Sequence, residues 1–177
     1  MYVTDEGHPR RTRKTRFRYV GNKKETWMQI ALELATVKDV DALVAFESKV
    51  ADPKIYGQPL DFQGALEEIN KNTLYLIKMG EMLLGTAAYS LRPDKSIYVS
   101  NLAVDPTYRR RGIARAAMLL ILEKCKGSHR VDLVTHPENR NALRLYRSLG
   151  FKVVSRQENY LGDGEPRLVL ALTRALL

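Results

Sequence analysis

The chain has a single cysteine, Cys125, in 177 residues. That excludes an internal disulfide framework and a cysteine-based zinc cluster. The longest unbroken apolar run, Ala116 to Leu122, falls far short of the ~20 residues that a bilayer-crossing helix needs. No apolar segment follows the charges of the N-terminus, so no secretory signal is visible, and a cytoplasmic protein with no membrane contact is expected. Histidine is scarce too: His8, His129 and His136 share no ligand spacing, and no metal site is expected. There is no internal repeat.

What is present is an ordinary globular composition, 45% apolar and 28% charged, in a chain long enough for one domain and short for two. The formal charge of +9 is unevenly spread. Arg10, Arg11, Arg13, Lys14, Arg16, Arg18, Lys23 and Lys24 face only Asp5 and Glu6, so residues 1–24 hold +6 of it. The expected organisation is a basic, disordered arm over 1–24 and a nearly neutral folded domain over 25–177. Such an arm is either a solvated tail or a contact for RNA or a ribosome.

Hydrophobic periodicity gives the order β-α-α-β-β-β-α-β-α-β-β, an α/β domain with a mixed sheet and helices on its faces. Met28–Leu34 alternates as a half-buried strand, and Thr36 caps a helix reaching about Val50. Residues 52–59 read as a loop, and Asp61 caps a second helix. Gly80-Glu81 is a two-residue hairpin signal between two β-rich runs. A third run, Ile97–Val104, stops at Asp105-Pro106. A helix over about 112–126, apolar nearly all round, needs cover on most sides.

The stretch from Asn101 to Arg115 carries the most chemistry: a buried strand, a turn, then Arg-x-x-Gly-x-Ala opening that helix. A helix N-terminus leaves backbone N–H groups unpaired and carries partial positive charge. Gly112 and Ala114 have almost no side chain to keep an anion away. Arg109, Arg110, Arg111 and Arg115 add charge, so the segment reads as a phosphate or pyrophosphate cradle. No Gly-x-x-x-x-Gly-Lys motif is present, and the Gly162-x-Gly164 pair lacks a third glycine.

A second element follows: Asn139-x-x-Ala142-x-x-Leu145-Tyr146-x-x-x-Gly150-Phe151. Over residues 27–173 the paired motifs resemble those of GNAT-superfamily acyl-CoA N-acyltransferases. The pattern is nearest to the ribosomal-protein alanine (RimI-type) and other protein N-terminal acetyltransferases. The resemblance implies a mostly antiparallel sheet and acetyl-CoA as cofactor. It gives the backbone of Leu102, Ala103 and Val104 to the pantetheine arm, and the loop Arg109, Arg110, Arg111, Gly112, Ile113, Ala114 and Arg115 to the pyrophosphate. Asn139 and Tyr146 would lie at the pantetheine end and beside the sulfur. The strands Ile97–Val104 and Val131–Thr135 would splay where the cofactor enters.

Acyl transfer to an amine needs a neutral nucleophile, a stabilised oxyanion and a proton for the leaving thiolate. Tyr146, a phenol with an unperturbed pKa of ~10, is the expected acid, although it also sits on an apolar helix stripe and would serve as core packing. Related enzymes carry an acid or histidine where this chain has Val134. His136, two residues on, is the candidate base, or else a residue bonded in the turn before Pro137. Asn101, and the segment Asn159-Tyr160-Leu161-Gly162-Asp163-Gly164-Glu165, resemble the N-terminal acetyltransferase subgroup. They point to a protein or peptide N-terminus as acceptor, with Tyr56 and Tyr160 as candidate substrate contacts. A small-molecule amine or a lysine side chain as acceptor, and a non-catalytic nucleic-acid-binding module, are the alternatives.

Overall fold

The computed structural model describes residues 15–21, 24–56 and 58–174, with side chains from Gln29 onward apart from those of Pro53 and Tyr56. Strand β1 (Thr15–Gly21) pairs antiparallel with β2 (Lys24–Leu34), from Thr15 opposite Ile30 to Gly21 opposite Lys24. Read by charge, β1 belongs to a basic arm. Its alternation Arg16-Phe17-Arg18-Tyr19-Val20 nonetheless supplies the aromatic and β-branched residues that favour extended backbone. Residues 1–14 of that arm lie outside the described residues.

Thr36 accepts from the Lys38 N–H at 3.3 Å, and Asp39 returns a bond to the Thr36 N–H at 2.8 Å. This reciprocal cap starts a short 3₁₀ turn that leads into α1 (Val40–Val50). A one-turn helix, α2 (Pro53–Tyr56), occupies part of the stretch expected to be loop. Helix α3 (Phe62–Lys71) begins where Asp61 Oδ1 accepts from the Gly64 N–H at 2.7 Å. Strands β3 (Thr73–Met79) and β4 (Met82–Leu91) are joined by Gly80-Glu81, with Gly80 at φ +58° as a glycine-first hairpin turn requires. Then come β5 (Ile97–Val104), α4 (Ile113–Lys124), β6 (Arg130–Thr135), α5 (Arg140–Ser148), β7 (Lys152–Gln157) and β8 (Arg167–Thr173).

The strand order is β1-β2-β3-β4-β5-β6-β8-β7, antiparallel throughout except between β5 and β6. On one face, α4 buries Ile113, Ala117, Met118 and Ile121 in a core shared with Leu143 and Tyr146 of α5. On the other, Leu43 of α1 and Ala65 of α3 pack on Leu74, Leu76 and Ala88. The nearly all-apolar α4 thus finds the cover its sequence demands.

Two irregularities of β5 position the site. Along β4, Tyr89 faces Val99 and Ala88 faces Asn101, so Ser100 is an extra residue in a β-bulge. Its effect is to keep Ile97 and Val99, and then Leu102 and Val104, in the core under α4, whereas strict alternation would turn the second pair away. A bulge also increases local twist. In keeping with that, β5 and β6 pair only over Ile97–Val99 and Val131–Leu133, although β5 runs on to Val104 and β6 to Thr135. Beyond that point the two strands separate.

Candidate active site

A cleft of about 510 Å³ opens on the α4/α5 side of this separation. Its walls are Leu102 and Val104 of β5, the loop residues Arg109, Arg110 and Gly112, the first turn Ile113, Ala114 and Arg115 of α4, and Asn139 and Tyr146 of the α5 segment. Both sequence motifs therefore line one space. Three arginines hold its walls together. Arg109 Nε donates to the Val104 carbonyl at 3.0 Å, Arg110 to Asn141 Oδ1 at 2.9 Å, and Arg115 to Ser148 Oγ at 2.7 Å.

The start of α4 differs from those of its neighbours. Asp61 and Asn139 cap α3 and α5 with side-chain oxygens, but Gly112, at φ +82°, has no side chain to cap α4. A Cβ built there would meet no protein atom within 4 Å. The first amides of α4 thus face the cleft beside arginine side chains, as an anion requires. With its small glycine cradle, its basic rim and an apolar wall in Leu102, Val104 and Ile113, the cleft fits a coenzyme A pyrophosphate and pantetheine arm.

A second cleft, of about 420 Å³, lies on the α1/α3 side. Glu47 of α1, Glu68 of α3, Tyr98, Asn101 and Ala103 of β5, Val134 of β6 and Leu161 of the loop before β8 line it. Leu102 and Tyr146 line both clefts, so the two meet across β5 at the splay. Tyr146 is buried, 7% exposed, and its ring lies 5.9 Å from that of Phe151.

Residues 42–151 match the acetyltransferase (GNAT) family. The chain belongs to this family. Among curated relatives, it is 33% identical over 98 residues to N-alpha-acetyltransferase 30 of Saccharomyces cerevisiae, covering 51% of this chain and 56% of that protein. It is 35% identical over 77 residues to ribosomal protein bS18 alanine N-acetyltransferase of Escherichia coli, covering 41% and 52%. The matched stretch spans about half the length of these two relatives. The crystal structure of the Escherichia coli ribosomal-protein-S18-alanine N-acetyltransferase superposes with a TM-score of 0.70 at 20% identity, over 84% of this chain and 96% of that one. The mostly antiparallel GNAT-like sheet expected from the motifs is thus the fold observed.

Of the residues singled out in the sequence of this GNAT protein, most converge on the two clefts. Ala103 lines the second cleft rather than the first, and Arg111 places its guanidinium 5.4 Å from the Tyr108 ring centre. His136 lines neither. It is 2% exposed, Nδ1 accepts from the Glu138 N–H at 3.1 Å, and Nε2 bonds to Glu165 at 3.1 Å. Strand β6 ends at Thr135, so the alternation that would carry His136 toward the cleft stops one residue early. The same turn holds Lys54 of α2 through Glu138 at 2.9 Å. Its work is to tie α2 and the 158–166 loop together beside the second cleft.

Tyr160 is half-buried beside Tyr98, which faces the second cleft. Burial, with Tyr160 beside it, holds the Tyr98 phenol well above its ordinary pKa. The side chain of Tyr56 lies outside the described residues, though its neighbour Ile55 lines the second cleft. Glu47 was not legible from sequence. It falls in an amphipathic helix beside Phe46, where a carboxylate reads as solvent-facing, and only the packing of α1 on β4 and β5 brings it inward. No group of three or more potential metal ligands occurs among the described residues.

Proposed function

We propose that this protein is an acetyl-CoA-dependent N-acetyltransferase acting on the α-amine of a protein or peptide N-terminus. The observation that carries this reading is the meeting of two clefts at the splayed strands, with Tyr146 lining both. In this reading the α4 loop from Arg109 to Arg115 holds the pyrophosphate, the edge of β5 over Leu102–Val104 holds the pantetheine arm, and Asn139 and Tyr146 stand at its end. Acetyl-CoA, when bound, supplies an activated acetyl thioester.

The chain's own groups then meet the demands of the reaction. Backbone amides freed from pairing beyond Val99 and Leu133 stabilise developing negative charge on oxygen. Tyr146 delivers a proton from its Oη to the departing sulfur. The second cleft admits the acceptor between α1, α3 and the loop carrying Leu161. The named activities of the curated relatives, an N-alpha-acetyltransferase and a ribosomal-protein alanine N-acetyltransferase, support a peptide acceptor. The domain division proposed is a catalytic unit over 25–177 preceded by a basic segment that contacts RNA or a ribosome.

A thermal-shift titration with acetyl-CoA, followed by thiol-release assays on N-terminal peptides, acetyl-blocked lysine peptides and polyamines, tests the reading. Turnover of free N-terminal peptides above the other two classes is expected. Absence of cofactor-dependent stabilisation refutes it. For the basic segment, removal of residues 1–14 is expected to spare peptide turnover but weaken ribosome binding and flatten its salt dependence. Equal binding without it refutes that contact.

A further inference from the structure

The acceptor cleft contains a carboxylate with no assigned task. Glu47 projects from α1 under β4 and β5, where its Oε1 lies 3.3 Å from Thr86 Oγ1 and accepts from Asn101 Nδ2 at 3.2 Å. Asn101 Nδ2 also reaches Thr86 Oγ1 at 3.1 Å, so the three groups form a closed ring of contacts. Thr86 is fully buried and Glu47 partly so. Both partners are neutral, and among the described residues no cation pairs with Glu47. The nearest lysine along α1, Lys49, is committed to Asp105 at 2.5 Å. One carboxylate oxygen is thus anchored while the other, Oε2, has no protein partner among the described residues.

The surroundings point the same way. From α3, Glu68 faces the same cleft and bonds to Ser100 Oγ at 3.2 Å. From β5 come Tyr98 and Asn101, from α5 the Tyr146 ring, and from the start of β8 Arg167, whose charge is taken up by Asp163 at 2.6 Å. An acceptor amine enters this space as an ammonium ion, and it cannot attack until a proton leaves it.

We propose that Glu47 is the general base that takes this proton. The inference rests on the acetyltransferase reading above. Glu47 accepts one proton from the ammonium group, leaving a neutral amine whose nitrogen forms the new bond to the acyl carbon as the carbon–sulfur bond breaks. The sulfur leaves with the electron pair and gains a proton from Tyr146, which recovers one from the nitrogen. Glu47 returns its proton to solvent, so one amide, one thiol and one proton are formed from one ammonium ion and one thioester. Burial raises the Glu47 pKa, with the Asn101 and Thr86 bonds opposing it and the Glu68 charge adding to it. That direction moves a carboxylate toward the basicity the task needs.

The test compares the parent, Glu47→Gln and Glu68→Gln, each checked first for an unchanged melting curve and unchanged CoA affinity by titration calorimetry. Glu47→Gln preserves the shape and the oxygen that Thr86 and Asn101 hold. Its kcat at pH 7 is expected to fall by roughly 10²-fold. The loss should be regained about tenfold per pH unit up to the α-amine's own ionisation near pH ~8. The parent and Glu68→Gln should lack that steep recovery. Should Glu47→Gln fold poorly, Glu47→Asp retains a titrating carboxylate and is expected to keep the parent's profile at a lower plateau. A Glu47→Gln enzyme with the parent's kcat and profile, one altered in KM alone, or a Glu68→Gln enzyme with the same recovery overturns the proposal. A parent that acetylates no amine overturns the acetyltransferase reading, and the role of Glu47 with it. An active parent beside an unaffected Glu47→Gln overturns only the latter.

Discussion

Replacing Gly112 with alanine separates the two consequences of having no side chain at the start of α4. Gly112 sits at φ +82°, in the left-handed region. An L-residue there costs about 1–2 kcal/mol, which in a chain of this size lowers the melting temperature by roughly 2–8 °C. The added methyl meets no protein atom within 4 Å, so no steric destabilisation adds to that figure. The methyl would occupy cleft space over the amides of Ile113 and Ala114. Loss of one hydrogen bond to a charged group, about 1.5–3 kcal/mol, weakens binding roughly 10- to 100-fold. Titration calorimetry with CoA and with pantetheine, which lacks the pyrophosphate, reads the two effects apart. Gly112→Ala should lose affinity for CoA while binding pantetheine as the parent does. Unchanged CoA affinity beside a lowered melting temperature refutes the cradle. Equal loss for both ligands shows a distorted cleft instead.

Tyr146→Phe removes a hydroxyl and almost no volume, so melting and CoA affinity should hold while kcat falls roughly 10²-fold. Preserved kcat with a raised KM would make the hydroxyl a positioner, and unchanged kinetics would remove it from the mechanism. Gly85→Ala should destabilise by about 1–3 kcal/mol in a denaturant melt. A Cβ at Gly85 would run into the backbone carbonyl of Ala103, and the resulting shift of β5 should also raise the KM for acetyl-CoA. Parent-like stability and KM would refute that contact. Burial pushes the Asp105 carboxyl up, but Lys49 and Thr107 outweigh it and leave the pKa below its ordinary value. A depressed folded pKa contributes stability above the unfolded value of ~3.9 that is lost as pH falls through the folded one. Asp105→Asn should therefore show a shallower loss of stability in acid melts below about pH 4, and an unchanged acid limb would refute the pairing.

The cofactor side of the site was open to sequence reading because its signal is contiguous. A strand, a turn with three arginines, one glycine and an apolar helix lie within residues 101–122, and the order of these parts fixes the cleft they make. The acceptor side is assembled from residues far apart in the chain. Glu47, Thr86 and Asn101 come together only once α1 crosses the sheet, and no spacing in the sequence links them. His136 lies off both clefts for a local reason: parity along β6 holds only while the strand lasts, and it ends at Thr135. In β1 the charges of Arg16 and Arg18 masked the alternation of Phe17 and Tyr19. Charge density describes solvation, whereas alternation describes backbone geometry, and here the two gave different answers.

Ser100 makes the spacing of β5 a matter of residue number more than residue type. Its own side chain is exposed and donates to Glu68 across the cleft, so many residues would serve in its place. Its removal would leave Val99 and Asn101 adjacent and still opposite Tyr89 and Ala88, so everything downstream would keep its phase. Asn101 would still face Thr86 and Leu102 the core under α4, while the extra twist that a bulge adds would be lost. Substitutions of Ser100 should therefore be mild, while its deletion should leave the contents of the two clefts in place and bring β5 closer to β6 beyond Val99. The strand works as a partition with two finished sides, and the single inserted residue stands outside its count, bending the wall without exchanging what it divides.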